Sequence, residues 1–368
     1  MQDHIKIKKG LIPLSFLYGL GVRIRNAFFD WGIHKSREFP MPIICIGNLA
    51  VGGTGKTPHT ELLIELLKPR YEVAVLSRGY KRETKTYLEA TSESSPASIG
   101  DEPCQIKSKY PDITVAVDRD RCHGIEQLMA KQKPFIDVIL LDDAFQHRKV
   151  KAGLNILLTD YHRLFTGDKL LPAGRLREPV KGKDRAHMVI VTKCPEDIKP
   201  IDFNIIAKHL DLYPFQDLFF SSLSYGQLTP VFPSSPLAER KLSSLKKEEE
   251  VLLVTGIASP THLKKKLEDH THKITSLTFN DHHNFSKEDI KRIKQQFERL
   301  PGERKLLITT EKDAIRLKHL PGIPDEIKNN LYALPVKIKI LQQRKYEFTK
   351  KIENYVRENQ RNSELFKR

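Results

Sequence analysis

A glycine-rich stretch, residues 47–57, joins an apolar run at residues 41–47 to a leucine-rich segment at residues 57–67. The apolar run has the length and composition of a buried strand, and the leucine-rich segment has those of a largely buried helix. Glycines between a strand and a helix let backbone N–H groups turn toward phosphate oxygens, and the helix N-terminus adds positive potential. The sequence therefore predicts a phosphate-binding loop (P-loop) in an α/β fold.

The residues of this loop have separate predicted roles. Lys56 is expected to reach the β- and γ-phosphates of a nucleotide, and the Thr57 hydroxyl is expected to bind Mg²⁺. The strict motif has a glycine where this chain has Ala50, and the neighbouring glycines supply flexibility there. The predicted nucleotide-binding residues are Gly52, Gly53, Thr54, Gly55, Lys56 and Thr57.

A second apolar run begins at Phe135 and ends in two adjacent carboxylates, Asp142 and Asp143. An acidic residue at the end of a buried strand holds Mg²⁺ opposite a P-loop. Two neighbouring carboxylates repel each other, so a bound cation would explain the pair. The loop and the pair together predict chemistry on a nucleoside triphosphate, without identifying the acceptor.

The apolar runs between residues 41 and 200 are nearly continuous, which is typical of parallel strands covered on both faces. We therefore predict an α/β fold of the P-loop NTPase type, a mostly parallel sheet flanked by helices. Residues 221–250 have the composition of a linker, and a second α/β series follows them. The predicted divisions are a helical region at 1–40, a P-loop core at 41–221, and a smaller C-terminal α/β domain at 222–368 that ends in a solvated helix at 344–368.

The first 40 residues predict an amphipathic helix over residues 14–31. Three lysines precede it, and the only tryptophan of the chain ends it. This combination is typical of a helix that lies on an anionic membrane surface, and a helix that packs on the protein core is the alternative. The longest uncharged apolar run, residues 11–22, is shorter than the roughly 20 residues of a spanning helix. The predicted apolar stripe comprises Leu14, Leu17, Ile24, Phe28 and Trp31.

The formal net charge of +16 favours an anionic partner. Nucleic acid is the least favoured, because no basic run with interleaved aromatic residues is present. The four cysteines form no C-x-x-C pair, which predicts reduced thiols in a reducing compartment.

Several strings together resemble the tetraacyldisaccharide 4′-kinase family of lipid A synthesis. The most specific are LDD-x-FQHR at residues 141–148 and LPAG-x-LREP at residues 171–179. Shorter strings occur in the same order, namely SRGY at 77–80, GDEP at 100–103, DR at 120–121, DH at 281–282 and TTEKD at 309–313. With the P-loop, the resemblance covers most of the chain.

The resemblance implies an ATP- and Mg²⁺-dependent kinase, peripheral on the cytoplasmic face of the bacterial inner membrane. It would phosphorylate the 4′-hydroxyl of a tetra-acylated glucosamine disaccharide 1-phosphate, without an obligate protein partner. Such an anionic, amphiphilic acceptor suits a basic chain with an amphipathic N-terminal helix.

The resemblance also implies residue roles. Asp101 would accept the proton of the attacking hydroxyl, directly or with His282, although the residues alone favour a helix cap at Asp101 and a surface histidine at His282. The remaining implied residues are Lys56 and Arg177 for catalysis, Thr57, Asp142, Asp143 and Glu178 for the metal, and Arg78 and Arg121 for the substrate.

Two alternatives remain from the residues alone. A regulatory P-loop NTPase would use water as acceptor and act on a protein partner. A soluble kinase of small metabolites would work without lipid, and its N-terminal helix would pack inward.

Overall fold

The computed structural model describes residues 7–257, 260–281 and 283–365, with side chains described to residue 360. The chain divides into two compact units. Unit 1 comprises the described parts of Met1–Glu93, Ile106–Leu223 and Ile338–Arg368, and unit 2 comprises those of Ser94–Gln105 and Ser224–Lys337.

Helices and strands alternate along most of the chain. The helices are α1 (Ile12–Asp30), α2 (Lys56–Leu67), α3 (Pro96–Ile99), α4 (Asp101–Lys109), α5 (Arg121–Met129), α6 (Pro200–Leu210), α7 (Thr261–Glu268), α8 (Lys287–Glu298), α9 (Glu311–Lys318), α10 (Asp325–Lys328) and α11 (Lys345–Leu365). The strands are β1 (Ile43–Asn48), β2 (Val73–Ser77), β3 (Leu88–Glu89), β4 (Thr114–Val117), β5 (Val138–Asp142), β6 (Leu154–Asp160), β7 (Met188–Thr192), β8 (Asp217–Tyr225), β9 (Thr229–Pro230), β10 (Glu250–Thr255), β11 (Ile274–Thr278), β12 (Lys305–Thr310), β13 (Leu331–Leu334) and β14 (Val336–Ile340).

A nine-stranded sheet, which lies mostly in unit 1, has the order β14-β8-β7-β6-β1-β5-β2-β4-β3. The strand pairs from β8 through β4 are parallel, and β3 is antiparallel to β4. β1 lies at the centre, with Cys45 opposite Leu141 of β5 and Asn155 of β6. Because parallel strands end at one edge, the segments after β1, β2, β4 and β5 meet there. The predicted parallel α/β fold is confirmed.

Unit 2 has its own sheet, in the order β11-β10-β12-β13-β9. Its first four strands are parallel, and β9 is antiparallel to β13. Leu252 and Leu307 are neighbours on adjacent strands, and both are fully buried in the core of this unit. The helix that follows β12 begins at Glu311, where the Thr310 hydroxyl accepts a hydrogen bond from the backbone N–H of Asp313 at 3.1 Å. This turn carries the TTEKD string.

The chain ends in unit 1, which differs from the predicted division at residue 222. α11 buries Phe348, Ile352 and Val356, spaced four residues apart on one helical face. The Phe348 ring meets the ring of Phe219 on β8 edge to face, with centroids 5.3 Å apart. The helix predicted to be solvated at 344–368 therefore differs in its described part, because one face of α11 packs on the nine-stranded sheet.

Two other segments also differ from the sequence-based division. Residues 94–105 belong to unit 2, inside the stretch predicted as the P-loop core. Residues 221–250 are more than a linker, because β8 extends to Tyr225 and both Leu228 and Leu242 are buried in the core of unit 2. Apolar residues spaced irregularly among Ser and Pro conceal such packing in the sequence.

In the part of the chain that the structure describes, no helix combines the length and apolarity needed to cross a bilayer. All four cysteines are free thiols.

Candidate active site

Hydrogen bonds within the loop and from the end of β7 stabilise the P-loop between β1 and α2. Its backbone turns at Gly52 and Gly55, whose φ angles of +114° and +84° lie where glycine is favoured. The Asn48 side-chain amide donates to the Thr54 hydroxyl at 2.7 Å. The Thr192 hydroxyl, from the end of β7, donates to the Thr54 carbonyl at 2.9 Å. These contacts give the loop a defined shape at the carboxyl edge of the sheet.

The acidic end of β5 faces the P-loop lysine. Lys56 Nζ lies 3.6 Å from Asp143 Oδ2. Asp143 has a φ angle of +47°, a left-handed conformation that Asp tolerates better than most residues. Burial raises the pKa of Asp143, but the Lys56 ammonium and the Arg177 guanidinium lower it below the usual range. Asp143 is therefore an ionised acceptor between two cations.

Asp142 has a different environment from its neighbour. It is buried, and its Oδ1 accepts a hydrogen bond from the Thr60 hydroxyl of α2 at 3.1 Å. The first carboxylate of the pair thus faces the helix that follows the P-loop, and the second faces the P-loop lysine.

The segment at residues 171–179, which carries the LPAG-x-LREP string, runs alongside the P-loop. The Val51 N–H donates to the Arg175 carbonyl at 2.8 Å, and the Arg177 N–H donates to the Leu49 carbonyl at 2.7 Å. This pairing delivers the Arg177 guanidinium to Asp143, where one nitrogen lies 2.9 and 3.1 Å from the two carboxylate oxygens. Arg177 therefore joins Lys56 and Asp143 in one cluster.

Glu178, the next residue, is buried and already satisfied. Arg185 donates to both of its carboxylate oxygens, at 2.9 and 2.8 Å. The Gln146 amide adds a third hydrogen bond at 2.9 Å. These contacts anchor the 171–179 segment through Glu178, and the metal-binding role that the resemblance implied for it stays a prediction.

Gln146 is a site residue to which sequence reasoning assigned no role. Its amide nitrogen donates to the Asn48 carbonyl at 2.7 Å as well as to Glu178, and its amide oxygen accepts from Arg177 at 3.4 Å. One side chain thus connects the end of β1, the acidic strand end and the 171–179 segment. The LDD-x-FQHR string was the signal, but it does not specify these partners.

The two arginines predicted to bind substrate lie after neighbouring strands. Arg78 follows β2 and is exposed, whereas Arg121 begins α5 and is buried. Arg121 donates to the backbone carbonyls of Asp118 and Arg119, each at 3.2 Å. Burial, and then the nearby Arg78 charge, lower the pKa of Arg121, while Asp143 and Asp142 oppose that effect. Arg121 is therefore within electrostatic range of the acidic pair.

The predicted proton acceptors are described only in part. Asp101 is the first residue of α4 and belongs to unit 2. There it forms an ion pair with Arg316, whose guanidinium nitrogen lies 2.5 Å from Asp101 Oδ2. His282 lies outside the described residues.

α1 contacts the 171–179 segment and its flank through its small residues. The Ser15 hydroxyl donates to the Leu170 carbonyl at 3.0 Å and accepts from the Ala173 N–H at 2.9 Å. A Cβ atom at Gly19 would lie only 2.6 Å from a methyl group of Leu170. The opposite face, about 180° around the helix, is apolar and exposed, with Leu17 at 63% and Trp31 at 73%.

Comparisons with known proteins agree with these motifs. Residues 7–357 match the family described as tetraacyldisaccharide-1-P 4′-kinase. The chain is 60% identical to the tetraacyldisaccharide 4′-kinase of Bacteroides fragilis over 99% of this chain and 97% of that protein, and 43% identical to that of Flavobacterium psychrophilum over 95% and 97%.

A solved structure is similar over nearly the whole chain. LpxK from Aquifex aeolicus, crystallised in complex with ATP, matches with a TM-score of 0.72 and 30% identity, covering 95% of this chain and 99% of that one. The chain therefore belongs to the tetraacyldisaccharide-1-P 4′-kinase family.

Proposed function

We propose that the chain transfers the γ-phosphoryl group of ATP to the 4′-hydroxyl of a tetra-acylated glucosamine disaccharide 1-phosphate, on the cytoplasmic face of the inner membrane. Family membership supports the kinase activity and the acceptor. The observation that carries the residue assignment is the cluster in which Lys56 and Arg177 both contact the Asp143 carboxylate.

Lys56 and Arg177 supply positive charge where the phosphoryl group is transferred. In this reaction the sugar oxygen bonds to the γ-phosphorus, and the bond from that phosphorus to the bridging oxygen breaks. ADP leaves with the electron pair, and the hydroxyl proton passes to Asp101, directly or through His282. Because phosphoryl transfer is largely dissociative, positioning and charge stabilisation supply most of the rate enhancement.

The donor set at the P-loop fits a magnesium ion. The Thr57 hydroxyl and the Asp142 and Asp143 carboxylates offer oxygen atoms, the ligands that Mg²⁺ prefers. These three residues would hold the ion, and when bound it neutralises charge on the β- and γ-phosphates. Glu178 is the fourth predicted ligand, and Arg185 and Gln146 contact its carboxylate just as Arg177 and Lys56 contact that of Asp143.

Arg121 and Arg78 extend the positive charge along the same edge of the sheet. Arg78 is exposed and has room to contact a phosphate of the substrate. Arg121 is buried, with one guanidinium nitrogen held by two backbone carbonyls, so we assign it an electrostatic effect on bound phosphates.

The exposed face of α1 supports peripheral association with an anionic membrane. Phe16, Leu17 and Trp31 are each more than half exposed, while Ser15 and Gly19 face the protein. A helix that served only to cover the core would have its large apolar residues inward. Acyl chains of the substrate would stay in the bilayer while the sugar reaches the P-loop.

The test is transfer of label from γ-labelled ATP and Mg²⁺ to the tetra-acylated disaccharide 1-phosphate in mixed micelles. We expect labelled lipid from the wild-type chain and none above background from Lys56→Ala. Lys68→Ala, at the far end of the same helix, is the matched control and should retain activity. Release of free phosphate without labelled lipid would contradict the proposed lipid kinase and would favour the regulatory NTPase.

A further inference from the structure

Asp101 and Arg316 form a poorly solvated ion pair in unit 2. Arg316 donates to Asp101 Oδ2 at 2.5 Å, and the two side chains are only 4% and 15% exposed. A charged hydrogen bond in such a poorly solvated place fixes both the charge and the direction of a carboxylate. With Oδ2 fixed by Arg316, the direction of the other oxygen is fixed as well.

The same guanidinium is anchored from behind by a second carboxylate. Its other terminal nitrogen donates to Asp313 Oδ1 at 3.0 Å. Asp313 is fully buried and accepts from the Gly256 N–H and the Thr310 hydroxyl, each at 2.8 Å. Arg316 therefore connects Asp101 to the rigid N-terminal turn of α9, which carries the TTEKD string.

Other charged and titratable groups surround this contact. Lys312, one helical turn before Arg316, pairs with Glu102 at 2.8 Å. On α4, burial and then the Asp101 charge raise the pKa of the Cys104 thiol to about 11, and Lys318 opposes the effect. Burial lowers the pKa of Arg316, but its hydrogen bond to Asp101 raises it above the usual range. Arg316 therefore stays protonated beside Asp101.

We propose that Arg316, anchored by Asp313, is a positioning residue that orients the Asp101 carboxylate to accept the hydroxyl proton. The inference rests on the proposed role of Asp101. Arg316 keeps its own proton throughout, and the proton from the sugar hydroxyl goes to Asp101 as the new P–O bond forms. The TTEKD string then serves the reaction through the anchor it provides.

The test compares Arg316→Met with wild type in the micelle assay, over a range of pH. Without the guanidinium, the carboxylate loses a positively charged partner, so we expect the acid limb of kcat/KM to move to higher pH. We expect kcat to fall about 10- to 100-fold, with little change in the KM for ATP. The matched control is Arg240→Met, which breaks the ion pair between Arg240 and Glu249, at 3.0 and 3.1 Å, in the same unit. It should leave the pH profile unchanged.

A double-mutant cycle separates positioning from mere stability. In an Asp101→Asn background, Arg316→Met should cause almost no further loss, since the group it serves has been removed. If the two losses multiply, or if Arg240→Met moves the acid limb equally, the positioning role is wrong.

Two further variants keep the test decisive. Should Arg316→Met fail to fold, Arg316→Lys retains the charge but not the two-pronged geometry, and it should show a smaller loss of kcat. An inactive Asp101→Asn beside a fully active Arg316→Met would overturn this inference and leave Asp101 as the acceptor. A fully active Asp101→Asn would overturn the proposed acceptor itself.

Discussion

The ammonium of Lys56 lies 3.6 Å from a carboxylate oxygen of Asp143. The P-loop lysine thus rests on the acidic end of the neighbouring strand, and Arg177 shares the same carboxylate. For a nucleotide to bind, Lys56 must exchange this partner for phosphate oxygens. Arg177 can then hold Asp143 in place during that exchange.

Replacing Arg177 tests this arrangement. Arg177→Lys should lower kcat about 100-fold, because the shorter lysine side chain does not carry its ammonium as far as the guanidinium nitrogen that contacts Asp143 and Gln146. Steady-state phosphate transfer to the lipid acceptor is the measurement. Lys181→Ala, an exposed change just beyond the same segment, is the control. Equal activity of Arg177→Lys and wild type would remove Arg177 from the catalytic cluster.

Gly174 tests how tightly the 171–179 segment is folded. A Cβ atom there would lie 2.1 Å from the backbone carbonyl oxygen of Lys169, which cannot move aside as a side chain can. We expect Gly174→Ala to cost about 1–3 kcal/mol in the free energy of unfolding. Gly21→Ala, in α1, meets nothing within 4 Å and should be neutral or stabilising. Urea denaturation of both variants decides, and equal stabilities would contradict the packing described.

The free energy of unfolding should depend on pH because of His59. It is buried beneath the P-loop, its ring bonded to the Gly55 carbonyl and the Ser221 hydroxyl, and burial lowers its pKa from 6.5 to about 4. Between these values the unfolded chain binds more protons than the folded one. Stability is therefore complete above about pH 6.5 and falls as pH drops toward 4, by about 3 kcal/mol for this residue.

His59→Gln should flatten that fall, which urea unfolding at pH 7.5, 6 and 5 will measure. The slope should not vanish, because burial also lowers the pKa of His147 to about 4. His209→Gln, at an exposed position on α6, should leave the slope as it is. A slope as steep in His59→Gln as in wild type would show that this histidine is not the source.

We expect association with a membrane to depend on the exposed face of α1. Leu17→Glu should reduce binding to vesicles containing phosphatidylglycerol by about 10- to 100-fold, the effect of withdrawing one leucine from an apolar surface. Ile201→Glu changes a comparably exposed apolar residue on α6 and should leave binding intact. Co-sedimentation measures both. If Ile201→Glu were the more damaging change, the membrane-facing surface would have to be placed elsewhere.

Much of the architecture could be predicted because buried parallel strands are continuous apolar runs. Strands β2 (Val73–Ser77) and β7 (Met188–Thr192) are two such runs, and both lie in the parallel part of the nine-stranded sheet. The packed face of α11 was missed, although Phe348, Ile352 and Val356 recur every four residues, because the charged residues between them dominate the composition of the segment. Only the structure shows what this face of the helix packs against, which is the end of the nine-stranded sheet at β8.

The candidate site likewise contains contacts that the sequence predicts and contacts that it does not. Lys56 and Asp143 follow from motif spacing, because loop and strand geometry bring them together. The partners of Glu178 do not follow, since its acidity suited a metal equally well, and only tertiary structure placed Arg185 against it. The role of Gln146 could not be predicted for a similar reason, because a neutral amide can bind many kinds of partner and its partners depend on the tertiary structure.

The contact between Gly19 and Leu170 makes α1 a spacer of fixed thickness. The Tyr18 hydroxyl also donates to the Arg177 carbonyl at 2.7 Å, which adds a second attachment between the helix and the 171–179 segment. With the opposite face of α1 on a bilayer, roughly one helix diameter, about 10 Å, separates lipid from that segment. An acceptor anchored by its acyl chains must bridge that height with its head group. The helix would thus act as a ruler that favours head groups of matching length.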